Sequence, residues 1–120
     1  MQCLPFQYWR IVGRVVQFAA SDPGARRVSF DVAGFNATNL FISETAVGNF
    51  DASTLLSLLQ TGNRIYLQQS NNSANVALYQ LTAFAVDNGL FWTVPVALVQ
   101  SCGVLFSNNT ALSIILILAT

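Results

Sequence analysis

The chain has 120 residues, the length of one domain, with 53% hydrophobic and 8% charged residues and no net charge. Five arginines balance five acids, and there is no lysine and no histidine. That excludes a basic stripe for nucleic acid, a Walker or Schiff-base lysine, and the imidazole of most triads and zinc sites.

The first nine residues are rich in aromatics and contain Pro5, with no clear period. They fit either an arm lying on a neighbouring subunit or an edge segment of the same domain. Residues 10–20 read as a first strand, since Ile11, Val12, Val15, Val16 and Phe18 are good strand formers. The domain organisation expected is therefore residues 1–20 as arm and first strand, followed by a β domain over 21–120.

Ser21-Asp22-Pro23-Gly24 is a turn: proline presets the backbone and glycine accepts a positive φ. Residues 28–32 then alternate, with Val28, Phe30 and Val32 on one face. A short strand follows over 39–43, ended by a loop over 44–49. Asp51 is placed to cap a helix of about two to three turns. Phe50 and Leu55 form a staple, Leu55, Leu56, Leu58 and Leu59 an apolar face, and Gly62 the closing residue.

Beyond the helix the chain is β again. Residues 64–69 and 76–84 flank the turn-like Ser70-Asn71-Asn72-Ser73 and read as a hairpin. Asp87-Asn88-Gly89 signals a second hairpin, leading into a strand over 91–99. Pro95 cannot donate to a ladder, so this strand is expected at an edge or to carry a bulge at Pro95. Residues 107–110 turn into a last strand over 112–118. That strand is apolar on both faces, so both faces should be covered. Leu112, Ile114, Leu116 and Leu118 are assigned to the core, and Ser113, Ile115 and Ile117 to a partner. The fold expected is mainly β: an antiparallel β-sandwich or jelly-roll-like domain with one short α-helix.

The longest apolar run, 114–119, is far short of the ~20 residues of a spanning helix, so no membrane partner is expected. The start has no basic region followed by an apolar core, so no export signal is expected. The two cysteines, Cys3 and Cys102, read as free, partly buried thiols. Three sequon-like triplets, beginning at Asn36, Asn71 and Asn108, read as turn residues.

Several stretches, in order, resemble a domain family of tailed bacteriophages that recurs in head-fibre, tail-fibre and collagen-like virion proteins. They are Asp22-Pro23-Gly24 before a strand, Phe41-Ile42-Ser43-Glu44-Thr45 at a strand end, and Leu59-Gln60-Thr61-Gly62-Asn63-Arg64-Ile65-Tyr66-Leu67-Gln68 after the helix. They continue with Asp87-Asn88-Gly89-Leu90-Phe91-Trp92-Thr93-Val94-Pro95-Val96 and close with Phe106-Ser107-Asn108-Asn109. The resemblance covers about four-fifths of the chain. Ser70-Asn71-Asn72-Ser73 stands where the family often has a charged hairpin, and Ala83 where it often has glycine. Collagen-like repeats are absent, which favours a compact domain standing alone on the particle.

The resemblance implies a virion structural protein assembled in the bacterial cytoplasm, a capsid decoration, cement or head-fibre protein. Its partners would be the major capsid protein or other virion proteins. The alternative it implies is a tail-fibre or receptor-binding module for a host-surface glycan. The composition adds self-association, a trimer being favoured, with Phe6, Tyr8, Trp9, Ile115 and Ile117 as candidate interface residues. Tyr66, Tyr79, Phe91 and Trp92 are candidates for stacking on a sugar. Of the acids, Asp22, Asp51 and Asp87 sit in turn or cap contexts, Asp31 falls on a polar strand face, and only Glu44 lacks a local reason. No catalytic residue, metal ligand or cofactor site is expected.

Overall fold

The structure is a computed structural model that describes residues 6–16, 24, 26–31, 36–46, 50–104, 106 and 110–119, with backbone only for 6–16, 46, 50, 73, 118 and 119. It is mainly antiparallel β with one short helix, as the turn signals and alternation predict. The strands are β1 (Phe6–Val16), β2 (Arg27–Phe30), β3 (Asn39–Ser43), β4 (Thr45–Ala46), β5 (Phe50–Asp51), β6 (Arg64–Gln69), β7 (Asn72–Leu81), β8 (Val86–Asp87), β9 (Phe91–Cys102) and β10 (Ala111–Ala119). Helix α1 is Ser53–Ser57.

One sheet runs β3-β2-β1-β10-β6-β7-β9-β8, and β3 also pairs β9. The curled sheet thus comes back on itself, and its two halves face each other across one core, as sandwich layers do. Only the β1–β2 ladder is parallel among the described strands. β4, inside the expected loop over 44–49, pairs antiparallel with β5, which takes the residues expected as the helix staple and cap.

Alternation decides what fills the interior. Ile65 and Leu67, Ala77, Tyr79 and Leu81, Trp92, Val94 and Val96, and Leu112, Ile114 and Leu116 all point inward and are buried. The assignment of Leu112, Ile114 and Leu116 to the core therefore matches the burial; the Leu118 side chain lies outside the described residues, and Ser113, expected to face a partner, is buried within the protomer. Ala52, Leu56 and Leu59 of the helix region join the same core from the end of the sheet where β3 finishes and β6 begins. Ala37 and Phe106 join it from the opposite end, the Phe106 ring lying 6.4 Å from that of Phe30.

Several local expectations need correction. Residues 6–9 belong to β1, with Phe6 opposite Ala119 and Trp9 opposite Leu116, so they are part of the sheet and not a separate arm. The helix has only five residues, with Ala52 at its N-cap position. Asp51 instead ends β5, its Oδ1 accepting the Ser53 N–H at 2.9 Å in a local turn. Gly62 does not close the helix: the chain leaves it at Leu58, and Gly62 takes φ +91° in the turn before β6. There Asn63 is buried, its Oδ1 accepting the Gln60 N–H at 2.9 Å. β7 ends at Leu81, short of residue 84.

Pro95 sits neither on an edge strand nor at the bulge. It is the position where β9 changes neighbours, from β3 and β8 on one side to β7 on the other. The missing N–H costs least at such an exchange. The bulge lies further on in β9, where Val99 is left between Leu98, opposite Tyr79, and Gln100, opposite Leu78. Residues 21–23, 32 and 107–109 lie outside the described residues.

Candidate functional site

No cluster of three or more potential metal ligands occurs among the described residues. The acids serve the fold. The Asp31 carboxylate accepts the Thr38 N–H at 3.0 Å, the Thr38 hydroxyl at 2.7 Å and the Asn39 amide at 3.1 Å. Partial burial pushes this carboxyl up, but those donors outweigh it and hold it below the ordinary carboxylate value. Asp51 is likewise lowered by its bond from Ser53. Asp87 accepts the Gly89 N–H at 2.8 Å, and Gly89 takes φ +100° in the hairpin expected there. Glu44 enters the backbone network, its carbonyl accepting the Ala52 N–H.

The aromatics divide by strand parity. Tyr79 and Trp92 point into the core and are buried, so neither is available to stack on a ligand. Burial, with the nearby Asp31 charge, pushes the Tyr79 hydroxyl far above its ordinary pKa. Tyr66 and Phe91 are half-buried on the outer side. Phe91 packs edge-on against Phe41, ring centroids 6.1 Å apart, while Tyr66 donates its hydroxyl to Gln68 Oε1 at 3.1 Å. They lie on β9 and β6, with β7 between, so the four aromatics form no common platform.

The outer wall made by β10, β6, β7 and β9 is the feature left without a structural explanation. Register places Ile115 opposite Tyr66, Tyr66 opposite Leu78, and Leu78 opposite Gln100, one continuous row across four strands. Flanking rows carry Ser113, Gln68, Val76 and Cys102 on one side, and Ile117, Arg64, Gln80 and Ala97 on the other. Arg64 is the sole charged residue in the sequences of these four strands. Tyr66, Val76, Leu78, Gln100, Ser101 and Cys102 line a shallow groove of about 210 Å³ on this wall. Cys102 is a free thiol and is exposed, not partly buried as expected; Cys3 lies outside the described residues.

Ile115 and Ile117, the expected interface residues of the last strand, therefore stand on this wall, half-buried. Phe6, Tyr8 and Trp9 belong to β1, which flanks it beside β10. Sequence reasoning missed Val76, Leu78 and Gln100. The outer set Val76, Leu78 and Gln80 alternates with the inner set Ala77, Tyr79 and Leu81, and both sets contain large apolar residues. Their alternation shows that two faces are apolar without showing which is inside.

A second apolar feature is the β8–β9 hairpin, where Phe84 and Leu90 are 65% and 75% exposed and Val86 is also exposed. No helix among the described residues is long and apolar enough to cross a membrane. No protein-family model, curated protein or solved structure matches the chain.

Proposed function

We propose that this chain is a bacteriophage virion structural protein, a capsid decoration, cement or head-fibre subunit that acts by multivalent non-covalent contact. The observation that carries the reading is the four-strand outer wall, which bears one charge and a row of half-buried apolar side chains. Such a surface gains from being covered. The ordered stretches shared with the phage domain family point the same way. Many weak copies acting together bind tightly without any one strong contact, which suits a repeating particle surface. The subunit would associate with itself, a trimer favoured, and with the major capsid protein or other virion proteins.

The receptor-binding alternative has less support. Of its four aromatics, two are in the core and the other two are separated by a strand. The test is protein mass spectrometry on virions purified from cells infected with the phage that carries this sequence. The chain should be present in many copies per particle. Its confinement to the infected-cell extract, with none in purified virions, would overturn the reading.

A further inference from the structure

We propose that the outer wall of β10, β6, β7 and β9 is where a second copy of this chain docks, with Leu78, Tyr66 and Ile115 at the centre of the contact. This rests on the reading above that the chain works by assembly, and it names the surface and the occupant.

The first argument is charge. The wall's single charged residue, Arg64, sits at the start of β6, in an outer row away from the central one. A partner with ordinary surface charge, about a quarter of its residues, would have its charges desolvated against this wall with nothing to pair them. A copy of this chain is suited to the wall, because only 8% of its residues are charged and its net charge is zero.

The second argument is hydrogen bonding. Gln68, Gln80 and Gln100 surround the apolar centre. Each amide both donates and accepts, so it can satisfy another neutral polar surface of the same composition without a charge. The third argument is size. The four strands are paired with one another over about six residues, which at ~3.3 Å per residue and ~4.8 Å between strands is on the order of 400 Å² in projection. That is about half of the roughly 800 Å² per partner of a stable, specific interface, so the wall supplies the centre of the contact and neighbouring surface its rim.

The experiment uses the full chain with Cys3→Ser, leaving Cys102 on the wall as its one thiol. Light scattering over a range of concentrations reads the mass, and circular dichroism reads the fold. The parent should have a mass of at least two chains of 13.0 kDa, and a parent that stays at one chain at every concentration overturns the proposal. Leu78→Lys should stay folded and weaken association about tenfold or more, by placing an unpaired charge in the centre of the contact. Leu90→Lys, on the exposed β8–β9 hairpin, should leave association unchanged.

If Leu78→Lys does not fold, maleimide labelling of Cys102 in the parent decides. Labelling should slow as concentration rises and the wall becomes covered. A concentration-independent rate overturns the proposal, as does an assembled Leu78→Lys. A parent that is monomeric alone but binds virions through this wall also overturns the second-copy assignment, while leaving the virion role intact. Association through the wall with no chain in virions would do the reverse.

Discussion

Gly103 shows how one residue fixes the end of β9. It takes φ +83°, and a side chain there would run into Asn75 Oδ1 and lie 2.6 Å from the Ala74 carbonyl oxygen. Asn75 is buried and bridges three segments, donating to Gln69 Oε1 at 2.9 Å and accepting the Val104 N–H at 3.0 Å. Gly103→Ala should therefore lower stability by at least about 1–2 kcal/mol, through the strained backbone and the displaced Asn75. An unchanged urea midpoint would contradict this. Ser29 makes the opposite case. It is fully buried, and its hydroxyl has no hydrogen-bond partner among the described residues. Ser29→Ala should be neutral or stabilising by up to about 1 kcal/mol, since it removes an unsatisfied polar group. A clear drop in the same midpoint would mean that the hydroxyl is engaged.

Tyr79 gives the pH dependence its sign. The fold raises its pKa above the ordinary value of about 10, so the native state keeps a proton that the unfolded chain gives up. Stability from this term is complete below about pH 10 and falls as pH rises beyond it. Tyr79→Phe should make the fall above pH 10 shallower in denaturation curves, whatever constant offset separates the two proteins at neutral pH. An equally steep fall in the variant would assign the alkaline loss to other groups.

At the scale of elements, the last strand separates core from surface. Leu116 is fully buried and its neighbour Ile115 stands half-buried on the outer wall. Leu116→Asp should unfold the domain, an unpaired buried carboxylate costing several kcal/mol, about 3–5. Ile115→Asp should leave the circular dichroism spectrum intact and reduce association. If both variants unfold alike, the outer wall is internal to the protomer.

Legibility follows the same divide. The β3 bounds, the Asn-Gly hairpin and the core face of β10 were readable because turn residues and alternation act locally. The helix was overread. Its leucines and closing glycine fit a longer element, but Ala52, Leu56 and Leu59 are needed across one end of the sheet, and the chain turns away once they are placed. Pro95 was misjudged because an exchange of neighbours along one strand depends on β3, β7 and β8, which lie elsewhere in the sequence. The wall was half legible: β10 gave Ile115 and Ile117, while β7 could not be oriented from its own residues. The aromatics failed for a related reason, since parity alone buries Tyr79 and Trp92.

For the whole molecule, a closed path of strands encloses one core of large apolar side chains and, among the described strands, leaves few unpaired edges to aggregate. What remains unexplained by folding is an outer surface with little charge, and assembly is the reading that gives it a use. The proposed virion role is tested most directly by a reconstruction of the particles of the phage that, on that proposal, carries this sequence. The account predicts density for this β domain on the particle, repeated with its symmetry, with the wall of β10, β6, β7 and β9 covered by a neighbour. Particles without that density, or with the wall facing solvent in every copy, would contradict it.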